Sequence, residues 1–150
     1  MESGRILPSG FKIFCSIPDV LFLPELVCGG AVWILIACAN VDPAEPLAYV
    51  IFISILCFIL SIIWMTAFIC GLHRNHETWV AADVLYHGAA ALLYMSALSL
   101  LAYIVTVLRQ IEQLDVKIYR LDVAAVVLCT ATTILYIIHT LFSAIRWKST

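Results

Sequence analysis

Four titratable residues lie within or at the edge of long apolar stretches of this sequence: Glu25, Asp83, His87 and His139. Asp83 and His87 are four residues apart and would share one face of a helix. Carboxyl and imidazole groups are costly in hydrocarbon, so each of them needs a reason to be there. They could form a proton relay or ion path, or they could form a buried hydrogen-bonded cluster that fixes helix register. We favour the cluster, because a carrier usually has broken helices around a site near the membrane midplane.

The composition excludes a water-soluble domain. Of the 150 residues, 64% are hydrophobic and 12% are charged, whereas soluble domains are about 45–50% apolar and about 25% charged. Disorder is excluded as well, because it requires low hydrophobicity. The net charge of −2 gives no reason to expect a nucleic-acid partner. The composition therefore indicates an integral membrane protein.

Four apolar runs are long enough to cross a bilayer, which takes about 20 residues. They cover residues 20–39, 47–71, 84–108 and 123–145, with short polar loops at 40–46, 72–83 and 109–122. None alternates apolar and polar residues as a barrel strand does. We therefore predict an all-α membrane protein, an antiparallel four-helix transmembrane bundle in a single domain over residues 1–150.

A cleaved signal peptide is an alternative for the first apolar run, because Ala37-Cys38-Ala39 resembles a cleavage site. The run contains Glu25 and is longer than the apolar region of about 7–15 residues found in signal peptides. We therefore expect the first run to be a membrane span.

The placement of lysine and arginine predicts the orientation of the spans. Five of these residues lie in the tails and the middle loop: Arg5, Lys12, Arg74, Arg146 and Lys148. The other two loops together contain three: Arg109, Lys117 and Arg120. Because basic residues favour the cytoplasmic side, we expect both termini to be cytoplasmic. Glu25, His87 and His139 would then lie in the cytoplasmic half of the membrane, with Asp83 at its interface. Trp64, Trp79 and Trp147 would lie near the same boundary as an aromatic belt.

Small and polar residues recur along the fourth span at spacings of three and four. They are Ala125, Cys129, Thr132, Tyr136, His139 and Ser143. Membrane helices pack through small or polar faces, because lipid tails provide no hydrophobic drive between helices. We expect this stripe to face the bundle, and we expect Gly29, Gly30 and Gly88 to allow close approach of neighbouring helices.

The six cysteines match no zinc-binding spacing and suggest no disulfide framework. Cys15 and Cys70 lie near the predicted cytoplasmic interface, where S-palmitoylation can occur. Leu101, Tyr103 and Arg109 fit a weak pattern proposed for cholesterol contact. Since no nucleophile–base pair, metal spacing or cofactor motif is found, we expect neither an enzyme nor a bound metal or cofactor.

Several segments of the sequence resemble the MAL proteolipids, four-span members of the MARVEL group. They include residues 7–11, 17–19, 29–35, 83–87, 124–127 and 141–149. The resemblance extends from about Leu7 to Thr150, and its spacing agrees with the four spans. It implies a MARVEL-like bundle, and the family offers no catalytic residues to carry over.

The resemblance implies a structural and trafficking role. Such proteins associate with membrane rich in cholesterol and glycosphingolipid (lipid rafts), support vesicle sorting to the apical surface, and organise compact membrane such as myelin. The implied partners are these lipids, further copies of the chain and membrane cargo proteins, at the plasma membrane and in trafficking vesicles. The alternative from the residues alone is a small transporter or proton channel that uses Glu25, Asp83, His87 and His139.

Overall fold

A computed structural model describes residues 9–39, 45–73, 76–110 and 115–149 of the chain. Within these ranges it contains four α-helices, which are α1 (Phe22–Cys38), α2 (Glu45–Ile69), α3 (Glu77–Leu108) and α4 (Val116–Lys148). Two short 3-10 helices, Gly10–Cys15 and Asp19–Leu21, precede α1. Each of the four long helices is long and apolar enough to cross a membrane. The predicted all-α, four-span architecture is therefore confirmed.

The helices form a bundle in which each one packs against two neighbours. Helix α1 packs against α2 and α4, and α3 packs against the same two helices. Successive helices run antiparallel, so residues 10–21, the carboxyl ends of α2 and α4, and the amino end of α3 all meet at one end of the bundle. We call this the terminal end. Arg5, Arg74 and most of the first predicted loop, residues 40–44, lie outside the described residues.

The helix bounds differ from those of the apolar runs. Helix α3 begins at Glu77 rather than at residue 84, and α4 extends from Val116 to Lys148 rather than over 123–145. Hydropathy detects only the apolar part of a helix, whereas backbone hydrogen bonding continues through its polar turns. At the start of α4, the Asp115 carboxylate accepts a hydrogen bond from the backbone N–H of Lys117 at 2.8 Å, as an N-cap does. As a consequence, Asp83 lies well inside α3 instead of at its edge.

Helix α2 ends where Gly71 adopts a left-handed backbone conformation with φ of 66°. The N–H of Gly71 donates to the carbonyl of Phe68, and the N–H of Leu72 donates to that of Ala67. This pair of hydrogen bonds is a Schellman motif, for which glycine is the preferred residue. The motif turns the chain at the terminal end toward the start of α3.

The outer surface of the bundle is apolar along its length. Large hydrophobic side chains on all four helices are at least half exposed, and they form what we call the lipid-facing belt: Val27, Phe52, Ile63, Leu85, Leu92, Tyr103, Val127, Ile134 and Leu141. Glu25, Asp83, His87 and His139 are instead buried in the interior. This distribution is expected for a bundle surrounded by lipid, in which exposed polar groups would be costly.

Candidate functional site

Three helices bring Glu25, His87 and His139 into contact inside the bundle near its terminal end. All three side chains are fully buried. Nδ1 of His139 is hydrogen-bonded to Oε1 of Glu25 at 2.7 Å, and Nε2 of His87 lies 3.8 Å from Oε2 of the same carboxyl. The two imidazole rings are stacked with their centroids 3.5 Å apart. Glu25 in α1 is therefore shared between a histidine of α3 and a histidine of α4.

An aromatic side chain separates this cluster from the N-terminal segment. Phe22, at the start of α1, is completely buried and its ring centroid lies 5.3 Å from that of His87 and 4.9 Å from that of His139. Phe68 of α2 packs edge-on against Phe22. These apolar rings exclude water from one side of the cluster, which strengthens the interactions between its polar groups.

The fourth predicted residue, Asp83, binds His87 through two of its oxygens. Nδ1 of His87 lies 2.9 Å from the backbone carbonyl oxygen of Asp83 and 3.2 Å from its Oδ1. When Asp83 is ionised, both of these atoms are acceptors, so Nδ1 carries the proton and donates it. In neutral His87 the lone pair is then on Nε2, the nitrogen nearer to Glu25.

The carboxylate of Asp83 also accepts hydrogen bonds from side chains of α2 and α4. It accepts hydrogen bonds from Nε1 of Trp64 at 2.7 Å, from Oγ of Ser143 at 2.6 Å and from a guanidinium nitrogen of Arg146 at 2.9 Å. The other terminal nitrogen of Arg146 binds Oδ2 of Asp19 at 2.8 Å. Asp83 and Arg146 thereby connect α2, α3, α4 and the segment that precedes α1.

Arg146 and Asp19 belong to the site, although neither is predicted from the sequence. The signal for Arg146 was present, because the stripe on α4 continues by a step of three from Ser143 to Arg146. Asp19 is separated from Arg146 by most of the chain and offers no comparable pattern. Trp64 was assigned only to the aromatic belt, whereas its indole nitrogen is directed inward at Asp83.

A second hydrogen-bonded group lies next to the cluster on the side of the bundle centre. Oγ of Ser61 is 2.7 Å from the hydroxyl of Tyr86 and 2.8 Å from that of Tyr136, and Tyr94 packs on Tyr136. Farther toward the opposite end, the interior is lined by Val50, Ala97, Leu101, Ala125 and Cys129. Ser54, Thr132, Thr133 and Asp122 are also buried between the centre of the bundle and that end.

The comparisons with known proteins agree with this architecture. The family described as "MARVEL: Membrane-associating domain" matches residues 13–142. The chain belongs to the MARVEL family. It is 40% identical to human myelin and lymphocyte protein over 146 residues, which cover 97% of this chain and 94% of that protein. The corresponding protein of dog is 42% identical over 148 residues, with 99% and 95% covered.

A more distant relative matches part of the chain. Zebrafish plasmolipin is 34% identical over 84 residues, which cover 55% of this chain and 49% of that protein. No solved structure matches. The resemblance to the MAL proteolipids, first seen in short segments, is therefore confirmed over nearly the full length of this MARVEL protein.

Except for Gly88, which is partly exposed, the residues predicted to pack helices together lie in the interior of the MARVEL bundle. All six members of the α4 stripe are buried, as are Gly29 and Gly30. A Cβ atom on Gly29 would lie 2.9 Å from the Tyr94 hydroxyl oxygen, and one on Gly30 would lie 3.1 Å from the Phe58 ring. A Cβ on Gly88 would make only an ordinary contact, 3.6 Å from Thr140. The packing therefore leaves no room for a Cβ atom at position 29, little room at position 30 and enough room at position 88.

The predicted sterol-contact residues do not form one lipid-facing surface in this MARVEL protein. Leu101 is fully buried, whereas Tyr103 is 67% exposed and Arg109 is exposed at the end of α3. Residues two apart in a helix point in nearly opposite directions, so Leu101 is not available to a sterol that contacts Tyr103. Leu101 is therefore not part of such a surface, and sterol contact by Tyr103 and Arg109 stays a prediction. Cys15 and Cys70, predicted to be palmitoylated, are exposed at the terminal end.

Proposed function

We propose that this MARVEL protein is a non-enzymatic organiser of membrane rich in cholesterol and glycosphingolipid, and that it supports vesicle traffic, apical sorting or the organisation of myelin membrane. The observation that carries the proposal is the distribution of side chains, with buried charged groups in the interior of the bundle and large apolar groups on its surface. The ion pairs of Glu25 with His139 and of Arg146 with Asp19 and Asp83 lie in the interior, whereas the lipid-facing belt covers the outside. The surface available for interaction within the membrane is thus directed at lipid.

The lengths of the spans support a preference for thick, sterol-rich bilayers. The apolar segment Pro46–Ile69 has 24 residues, which reach ~36 Å at a rise of ~1.5 Å per residue. The segments of α3 and α4 are longer still, and only Asp19–Cys38, with 20 residues, reaches no more than ~30 Å. Sterol-rich plasma membrane has a hydrocarbon core of about 32–33 Å, against about 30 Å on average. Mismatch therefore costs less in the thicker membrane.

The names of the relatives support the proposed kind of membrane. Myelin and lymphocyte protein is named for myelin, and the similarity extends over nearly the whole chain. We propose the same kind of membrane here, at the plasma membrane and in trafficking vesicles, with cytoplasmic termini. The proposed partners are cholesterol, glycosphingolipids, further copies of the chain, which would gather ordered lipid into a patch, and membrane cargo proteins.

Partition between lipid phases tests this proposal. Fluorescently labelled full-length chain is reconstituted into giant vesicles in which liquid-ordered and liquid-disordered phases coexist. We expect enrichment in the ordered phase, and exclusion from it would contradict the proposal. A second vesicle series keeps the sterol content fixed and lengthens the acyl chains of the disordered phase. If span length contributes, the preference for the ordered phase decreases along this series.

A proton channel is the second candidate, because a buried carboxyl in contact with two histidines has the chemistry of a proton relay. Most of the side chains that line the interior between Tyr94 and the opposite end are apolar, and this counts against a channel; the buried polar residues described there are Ser54, Thr132, Thr133 and Asp122. Proton flux into vesicles reconstituted with the chain separates the two candidates. A channel predicts pH-dependent flux that His87→Ala or Glu25→Gln abolishes. We expect no flux above that of protein-free vesicles.

A further inference from the structure

The buried group of Glu25, His87 and His139 has the composition of a three-ligand metal site. One carboxylate and two imidazoles are the protein ligands of several zinc centres, in which a fourth position stays open. One ligand atom from each of these residues lies within 4.8 Å of the others. We propose that the three residues bind a divalent transition-metal ion, with Zn²⁺ the best fit, in the interior of the bundle. Spacing along the chain did not predict this site because its ligands come from three helices.

Three buried atoms of the cluster lack hydrogen-bond partners, as is expected where a ligand binds. Oε2 of Glu25, Nε2 of His87 and Nε2 of His139 are buried and have no hydrogen-bond partner among the described residues. A buried polar atom without a partner costs about 1–3 kcal/mol. Each of the three residues thus retains an atom with the chemistry of a zinc ligand. An ion bound by these three residues would join α1, α3 and α4.

Asp83 holds His87 in the form that binds metal. The Nδ1–H of His87 donates to Asp83, which leaves the lone pair of Nε2 free to coordinate an ion. A carboxylate or carbonyl behind a metal-binding histidine is the usual arrangement, and it fixes the tautomer and raises the basicity of the ligand. Asp83 is itself fixed by Trp64, Ser143 and Arg146. The hydrogen bonds that would orient His87 as a metal ligand are therefore already formed.

The balance of buried charge favours a divalent cation. Asp19, Glu25 and Asp83 bring three carboxyl groups into the described part of the terminal end, against the single guanidinium of Arg146. Unbalanced charge is costly away from water. A divalent cation would offset the formal excess of two negative charges, as would two bound protons. Titration with Zn²⁺ distinguishes a bound cation from bound protons.

Asp19, Asp83 and His139 form a second group with suitable spacing for an ion. Its two carboxylates already bind the positively charged Arg146, which would repel a cation at that point. The group that contains Glu25 is therefore the better site.

Binding would require a local rearrangement of the two histidines. A tetrahedral zinc ion with bonds of ~2.1 Å holds its ligand atoms roughly 3.4 Å apart, so the more distant ligand atoms must move closer together. The planes of the two stacked rings are only 24° apart, with their centroids 3.5 Å apart, and a metal ion lies close to the plane of each imidazole that binds it. One ring must turn for both to reach the same ion. We therefore expect metal binding to separate the stacked rings.

Metal titration of the full chain in lipid nanodiscs tests the proposal. The exposed cysteines are first alkylated and bound metal is removed with a chelator, after which Zn²⁺ is added in competition with a chromophoric chelator. We expect one ion per chain. Asp83→Asn should lower the affinity about 10- to 100-fold, and Glu25→Gln and His139→Gln should lower it further. His76→Gln is the matched control, because His76 is exposed outside the cluster, and it should leave the affinity unchanged.

Two results of the titration would overturn the metal site. One is the absence of stoichiometric binding, in which case protons balance the buried charge. The other is binding that Glu25→Gln and His139→Gln leave unchanged. X-ray absorption on the zinc-loaded wild-type chain gives a test that does not depend on whether the variants fold. We expect nitrogen and oxygen ligands at ~2.0–2.2 Å, and sulfur at ~2.3 Å would place the ion elsewhere.

Discussion

Gly29 illustrates how closely the interior of this bundle is packed. A Cβ at this position would lie 2.9 Å from the hydroxyl oxygen of the fully buried Tyr94, so Gly29→Ala forces α1 or the tyrosine ring to move. We expect the substitution to lower the stability by about 1–3 kcal/mol, the usual cost of overpacking a core. Gly88→Ala is the control, because its added methyl group has room beside Thr140. Thermal unfolding in one detergent should give a lower midpoint for Gly29→Ala only; equal midpoints would show that the contact at Gly29 is loose.

The last turn of α4 fastens the N-terminal segment to the bundle through Arg146. Its two terminal nitrogens bind Asp19 before α1 and Asp83 in α3, and both carboxylates are buried. Arg146→Ala leaves these carboxylates without their cation, which should cost about 3 kcal/mol. Lys148→Ala, two residues farther along the helix and exposed, should cost little.

Hydrogen exchange of residues 10–21 measures the role of Arg146 separately from global unfolding. In Arg146→Ala we expect this segment to exchange faster than it does in the wild type and in Lys148→Ala. If exchange in the segment is unchanged, its position depends on Ile13 and Phe22, which pack against Phe68 of α2, and not on the ion pair.

The helices differ in how much of them the sequence could predict. Apolar length alone gives the number of spans, and the stripe of small and polar residues gives the inward face of α4, because those residue types pack helices in lipid. The polar first turns of α3 and α4 were missed, since a run of apolar residues ends before the helix does. Spacing also could not show that Gly29 lies against the hydroxyl of Tyr94, or that Asp19 and Arg146 form an ion pair. Both contacts depend on how separate parts of the chain pack together.

The native cysteines can establish how the whole molecule is oriented in the membrane. Cys15 and Cys70 are exposed at the terminal end, Cys38 is exposed at the opposite end, and Cys57 and Cys129 are buried. With cytoplasmic termini, a membrane-impermeant maleimide applied to intact cells should label a variant that keeps only Cys38. Variants that keep only Cys15 or Cys70 should react only after permeabilisation, and after hydroxylamine treatment if they are acylated. The reverse pattern would place the termini, and with them the Glu25, His87 and His139 cluster, on the outer side of the membrane.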